Sequence, residues 1–485
     1  MVEVKSSTSV KPYHHEDCAI QTLILLNNGI APINVDLAHI DTSFVYQGGG
    51  DYRGLLHHHS LMDETYALIE FVPGWIQGAR ATLSGDEPDI KPGEQCDTPF
   101  ECPFKAHCGK VIEPTHQPAF PLEVFSRMRQ TKREEIRELG FQDAREVPTA
   151  FLNDTQQRIQ RVIQTGEAEL TSEAKLVLAE LTYPRYYLDF ETINLAVPRW
   201  PQTSPYRTQV PFQWSCHVEP EPGHLKHHMF LDVTGADPRR SCADSFVATL
   251  GTEGPVFVYF QAFEKGRIAE LAVLYPDLAP ALLAINERIV DLLPLTRTSY
   301  YHSDMQGSWS IKSVLPTIAP ELSYVELAVS DGGGAQDAYR EILHPMTSAS
   351  RRQELEQGLR DYCTLDTLAM VRLAWFLEGY SIWHFRSSLV AGNHADKDAF
   401  ALGLDLDLLF NAAVDAVRRY CLEANTPYVR LPKSLLQQRL RIGFEQSAAL
   451  VEQLEAAGVL TPLASAVKMT HRAAESTTVQ TTIQH

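Results

Sequence analysis

A chain of 485 residues exceeds what one hydrophobic core usually supports and predicts two to four domains. With 44% hydrophobic and 21% charged residues it has a globular composition, and no apolar run approaches the roughly 18 residues of a membrane span. Met1 to Lys11 lack the apolar core of a signal peptide, so a cytoplasmic protein without a membrane partner is expected; the net charge of -19 argues against a surface coated in phosphate-binding groups but leaves room for local basic stretches.

The first unit, 1–115, opens on the β-like VEVKSS, continues through an amphipathic stretch around Ala19 to Leu26 and closes on GEQCDTPFECPFKAHCGK. Eight cysteines are too sparse for a disulfide scaffold, but Cys96, Cys102 and Cys108 are clustered among Pro, Asp, Lys and His, a setting that favours ligation over burial. Three thiolates need a fourth ligand to complete a zinc site or an iron–sulfur cluster, and Cys18 and His107 are candidates. Residues 116–182 turn helical and charged (SRMRQTKREEIRELG, TSEAKLVLAELT) and read as a helical connector.

Between 183 and 380, short hydrophobic strands (YYLDF, FQWSCHV, PVFVYF) alternate with helical stretches (KGRIAELAVLY, RDYCTLDTLAMVRLAWFL), which predicts an α/β domain. Residues 381–404 have the polar texture of a linker. Helical periodicity returns over 405–470, and 471–485 lack a hydrophobic period and are expected to be disordered.

Asp189 and Glu191 lie two apart on a predicted strand and so share a face, with Phe190 turned the other way. Two carboxylates on a rigid strand form half of a site for a hard cation such as Mg²⁺ or Mn²⁺. Tyr362 and Asp366, four apart on a predicted helix, stack on one face, and Glu264 follows a buried-looking strand. This ordering resembles the DnaQ-like (DEDD) exonuclease superfamily, with Asp-x-Glu on its first strand and Tyr-x-x-x-Asp on a helix. The middle motif departs: Phe260, Gln261, Ala262, Phe263 and Glu264 stand where that superfamily shows Asn-x-x-Phe-Asp. The resemblance implies an RNase H-like core and a 3′→5′ exonuclease, with DNA expected over RNA. It also implies two cations roughly 3.5 to 4 Å apart. Asp189, Glu191, Glu264 and Asp366 would be the ligands, and Tyr362 would orient or help deprotonate the attacking water. The wider stretch from Tyr183 to Leu377 resembles the bacterial family called domain of unknown function 2779; within it Lys312 either reaches a phosphate or is simply solvated.

At the start of the chain, Glu3-Val4-Lys5 with Gln21 and Leu25 resembles the E-x-K and glutamine motifs of RecB-like PD-(D/E)xK nucleases. Those carry a four-cysteine [4Fe-4S] staple, one cysteine before the core and three after it. The resemblance implies that Cys96, Cys102 and Cys108 are three legs of a cluster incomplete in this chain. The upstream aspartate would lie before Met1, leaving this partial domain inactive. Near the other end, SLLQQRLRIGFEQSAALVEQLEAAGVLTP reads as a helix, a turn at Gly443 and a second helix, and over about 405–465 it resembles the winged-helix gamma domain of FtsK DNA translocases. Phe444, Glu445, Gln446 and Leu450 occupy positions where that family shows Tyr-Asn-Arg and a further Arg, so Gln446 is left to face bases while Arg430, Lys433, Arg439 and Arg441 remain for phosphates. Weak DNA docking is expected, with a protein partner as the alternative. A catalytically silent nucleic-acid-binding or adaptor protein that keeps the nuclease folds is the rival to the enzyme.

Overall fold

The computed structural model describes residues 1–90, 93–105, 107–108, 118–325, 327–379, 428–429, 460–463 and 466–469. The expected mixed α/β character is found, distributed over several sheets.

The first unit is built on a sheet of β1 (Val2–Lys5), β2 (Asp36–Ile40) and β3 (Leu56–Ser60), with β1 parallel and β3 antiparallel to β2. Helix α1 (Pro12–Asn27) crosses between the parallel strands, and Cys18 on it packs with Val35, Leu37 and Leu61 into a small core. Helices α2 (Met62–Ile69) and α3 (Val72–Ser84) follow. This unit is joined to the rest by hydrogen bonds from Tyr206 Oη to Ser6 O (2.6 Å) and from Tyr52 Oη to Pro198 O (3.0 Å), and by a bridge between Tyr46 and Thr203.

The stretch expected as a connector holds α4 (Gln130–Glu138), α5 (Asp154–Thr165), β4 (Glu169–Leu170) and α6 (Glu173–Ala179). It shares one hydrophobic core with the domain that follows: Phe125, Ile136, Ile159 and Leu178 pack with Tyr187, Phe257, Tyr300 and Trp375. Its charged surface hides this in the sequence, because the apolar residues fall on one face of each short helix.

The main sheet is ordered β7-β6-β5-β8-β9, from β5 (Arg185–Ile193), β6 (Val210–Glu219), β7 (Lys226–Leu231), β8 (Val256–Val258) and β9 (Ile289–Asp291). Strands β5, β6 and β7 form an antiparallel meander, while β8 and β9 join on the other side in parallel. The aromatic and β-branched run RYYLDFETI suits a central strand, and Asp189 is its one half-buried position among buried ones. Tyr186, Leu188 and Phe190 pack against α7 (Arg239–Thr249), α8 (Gln261–Leu274) and α9 (Ala279–Glu287) through Phe246, Ile268, Leu271, Leu282 and Ile285. After α9 the chain continues through α10 (Leu292–Ser299), β10 (Tyr300–Tyr301), α11 (Ile311–Ile318) and α12 (Gly332–Ile342).

The opposite face of β5 receives α13 (Ala349–Glu378), a 30-residue helix capped by the Ser348 side chain and ended by Gly379 at φ 81°. The contact is polar as well as apolar. Alternate residues of β6 (Gln213, Ser215, His217 and Glu219) are buried, and each bonds α13. Gln213 Nε2 donates to Leu359 O (2.9 Å), Ser215 and His217 each meet Thr367 Oγ1 (2.8 Å), and Trp375 Nε1 donates to Glu219 (3.0 Å). Directional bonds to three positions of the helix, Leu359, Thr367 and Trp375, fix its rotation and height on the sheet, which apolar packing alone leaves freer.

The expected winged helix, with Arg430, Lys433, Arg439, Arg441, Phe444, Glu445, Gln446 and Leu450, lies outside the described residues. Described in that region is an antiparallel sheet of β11 (Tyr428–Val429), β12 (Leu460–Leu463) and β13 (Ala466–Met469), with β13 in the middle.

Candidate active site

Asp189 and Glu191 lie opposite Ser215 and Gln213 on β6, and the pairing slips by one residue directly after Glu191. Irregularities of this kind re-aim side chains at the end of a strand. Glu264, in the first turn of α8, is 3% exposed, and its Oε2 finds no hydrogen-bond partner among the described residues. Asp366 of α13 accepts a hydrogen bond from Tyr324 Oη (2.7 Å), and Tyr362 stands one turn before it on the same helix. Cys363 Sγ lies 3.9 Å from Asp189 Oδ2, and ligand atoms of Asp189, Glu191 and Cys363 fall within 4.8 Å of one another. Asp189, Glu191 and Cys363 thus form one close group, and Glu264 and Asp366 lie near enough for their charges to act on Asp189.

The acids are held there at an electrostatic cost. Burial pushes Asp189 well above the usual carboxylate range, and the negative charges of Asp366, Glu264 and Glu191 push it further. Burial and the Asp366 charge raise Glu191 to about 8, against the pull of Lys312. Glu264 is raised well above its ordinary value by burial and by Glu191. Asp366 is raised to about 6 by burial, despite the bond from Tyr324, the Lys312 charge and the Tyr362 hydroxyl. Both phenols are driven far up, first by burial and then by Asp366, so Tyr324 and Tyr362 stay protonated and act as donors.

Lys312, on α11, donates to Ser330 O (2.6 Å) and lies 3.3 Å from the Tyr362 hydroxyl, with its ammonium over the rings of Tyr362 (4.9 Å) and Tyr324 (5.3 Å). Its ammonium is therefore engaged beside Tyr362 and Tyr324 while still partly open to solvent. Tyr324 and Cys363 were not assigned a role from the sequence; Tyr324 stands in a loop with no periodic signal, and only its contact with Asp366 reveals it.

Phe260, which stands where the resembling motif has Asn, adopts φ 87°, ψ 71°, the left-handed region that bulky residues avoid. The Asp291 carboxylate holds it there by accepting the N–H groups of Phe260 (3.0 Å) and Gln261 (2.9 Å), which fixes the start of α8 and with it Glu264. The ring is 56% exposed, so little packing offsets the strain. Phe260→Asn, a residue that tolerates this region, is expected to stabilise the protein by about 1 kcal/mol in thermal or denaturant unfolding. A loss of stability would mean that the ring makes contacts worth more than the strain.

In the first unit, Glu3, Lys5 and Gln21 form one chain of contacts: Gln21 Nε2 donates to Glu3 (2.9 Å), and Lys5 Nζ lies 3.0 Å from Glu3 and 2.7 Å from Asp17. Cys96 is buried and Cys102 and Cys108 half-buried, all as free thiols, with the Cys102 N–H bonded to Cys96 O (2.8 Å). Of the candidate fourth ligands, Cys18 belongs to the core beneath β2, and His107 is bound to Glu87 (2.6 Å).

The family model described as Domain of unknown function (DUF2779) matches residues 186–310, from β5 to the turn before α11. The matched segment contains Asp189, Glu191 and Glu264; Tyr362 and Asp366 lie beyond it. No curated protein and no solved structure matches the chain. Among the described residues no helix is long and apolar enough to cross a membrane.

Proposed function

We propose that this chain is a metal-dependent 3′→5′ exonuclease that hydrolyses nucleic acid, DNA in preference to RNA. The observation that carries the reading is that Asp189, Glu191, Glu264 and Asp366 act on one another's charge and each has a raised proton affinity, while a buried Glu264 oxygen has no hydrogen-bond partner among the described residues. Such a cluster wants positive charge. The donor set is all oxygen apart from the Cys363 thiol, which burial pushes up and keeps protonated, and this fits Mg²⁺ or Mn²⁺ held by the four carboxylates. An acid pair on the central strand of a sheet that is antiparallel on one side and parallel on the other supports an RNase H-like core.

When bound, two divalent cations would supply the charge that stabilises a phosphodiester under attack and ease deprotonation of water. The chain's own groups set the geometry. Tyr362 is a protonated phenol beside the acids that can orient a water there, and Tyr324 holds Asp366 through its hydrogen bond. Lys312, beside Tyr362, is the cation proposed to pair with a phosphate oxygen of the substrate. In the reaction a water oxygen bonds to phosphorus as the P–O3′ bond breaks, releasing a nucleoside monophosphate.

The three cysteines are proposed as legs of a [4Fe-4S] cluster whose fourth ligand is unassigned, and no step depends on it. The basic residues Arg430, Lys433, Arg439 and Arg441, with Gln446, are proposed to dock DNA or a protein partner.

Digestion of 3′- and 5′-end-labelled single- and double-stranded DNA and RNA with Mn²⁺ tests the reading. Asp189→Ala should slow release of 3′ nucleotides by roughly 100- to 1000-fold or more while leaving the fold intact. Full-rate digestion by that variant would trace the activity to a contaminant or another site. A folded wild-type protein that digests none of these substrates would favour the silent adaptor.

A further inference from the structure

The sheet of the first unit carries a group that neither the acids nor the cysteines explain. Strand β3 reads Leu-His-His-His-Ser and pairs with β2 so that His57 lies opposite His39 and His59 opposite Leu37. Side chains two apart on a strand share a face, as do directly paired residues, so His39, His57 and His59 stand together on one face while His58 points the other way. Their ring centroids are 5.5 Å (His39–His57), 5.0 Å (His39–His59) and 4.5 Å (His57–His59) apart. His39 is 7% exposed, and its Nδ1 lies 3.1 Å from Ile40 O. A carbonyl can only accept, so Nδ1 carries the proton and Nε2 keeps its lone pair, the orientation that outer-shell carbonyls give metal-binding histidines. Asp41, two residues beyond His39, feels the charge of His57 and His39 and is held by bonds from Ser43 N (2.8 Å) and Oγ (2.6 Å).

We propose that His39, His57 and His59 form a binding site for a borderline divalent transition ion, Zn²⁺ foremost, with the Asp41 carboxylate or a water as fourth ligand. Imidazoles select Zn²⁺, Ni²⁺ or Cu²⁺ over Mg²⁺ and Mn²⁺, so this site differs in metal class from the carboxylate cluster and stands whether or not the nuclease reading does. The rings are stacked, tilted and edge-to-face, not yet convergent on one point. His57 and His59 are exposed, and rotation of such side chains takes only picoseconds to nanoseconds, so the closure this site requires is a rotamer change of two surface side chains around the buried His39. An exposed edge strand needs only polarity to stay soluble; three imidazoles on one face, one with its ring nitrogens already assigned, supply more donor nitrogens than that role requires.

The test uses the full chain carrying Cys96→Ser, Cys102→Ser and Cys108→Ser, with excess Mg²⁺ to occupy the carboxylates, titrated with Zn²⁺ against a chromophoric chelator. One Zn²⁺ should bind this background. Adding His57→Ala and His59→Ala should weaken that binding at least about tenfold, with circular dichroism and melting in metal-free buffer unchanged because both side chains are exposed. His39→Ala alone should weaken it similarly. Equal Zn²⁺ uptake with and without His57 and His59, or no uptake by the background, overturns the proposal; so does displacement of the Zn²⁺ by Mg²⁺ or Mn²⁺ at comparable concentration.

Discussion

Asp189→Asn is expected to abolish cleavage and, in metal-free buffer, to make the protein more stable. A carboxyl whose folded pKa lies above its unfolded value binds its proton more tightly when folded, so its contribution to stability is full below the unfolded value and is lost as pH rises through the folded one. Glu191, raised to about 8, therefore weakens the metal-free fold progressively between about pH 4.5 and 8, and Asp366, raised to about 6, does so over the lower part of that range. Asp189 and Glu264 are raised in the same direction. Asparagine mimics protonated Asp189 in shape and has no proton to lose. Relief of a functional cluster is typically worth about 1–2 kcal/mol, or roughly 2–6 °C in melting temperature for a domain of this size. Melting followed with chelator at pH 5 and pH 8 should show the wild type falling with pH and the variant falling less. Mn²⁺ should raise the wild-type melting temperature at pH 8, where the acids are most ready to ionise, and leave the variant little changed. A variant less stable than wild type at pH 8 would mean that Asp189 is a structural ligand of its neighbours and not a charge held for a cation.

The acids were readable because strand alternation and helical spacing are local rules: Asp189 and Glu191 share a face for the same reason that Phe190 faces the other core. The three strands around the site, YYLDF, FQWSCHV and PVFVYF, announce themselves by apolar runs, whereas β7, with the sequence KHHMFL, and the three-residue β9 are too polar or too short to do so. What local rules could not supply was partnership across the fold. Tyr324 is an ordinary loop tyrosine until the chain brings it to Asp366, and Lys312 separates from the solvated lysines only through Tyr362 and Ser330. The helices of 130–179 looked like a connector because their charges outnumber their apolar residues, although those apolar residues close the same core as Tyr187 and Trp375.

The long-range partnership on which the site most depends is the buried pair of Arg185 and Glu378, and Arg185→Ala is expected to destabilise the protein by about 3–5 kcal/mol. Arg185 begins β5 and Glu378 ends α13; their side chains are 2% and 6% exposed and meet through Arg185 Nη1 at 2.9 and 3.0 Å from the two carboxylate oxygens. Nη2 donates to Leu178 O (2.9 Å) and Leu181 O (3.1 Å), at and just beyond the C-terminal end of α6. One guanidinium thus joins three elements, and its removal strands both a buried carboxylate and two carbonyls. Because Asp189 lies four residues along β5 and Asp366 twelve residues back along α13, the clamp also sets the height at which the two halves of the site face each other. Turnover should therefore fall in Arg185→Ala even at temperatures where circular dichroism reports a folded protein. Arg185→Met with Glu378→Leu removes both charges and keeps apolar bulk, and should recover most of the stability. If the double variant is as unstable as the single one, the loss comes from the α6 carbonyls and not from the orphaned carboxylate. If it recovers stability but not turnover, the hydrogen-bonded pair is needed for the position of α13 as well as for its attachment.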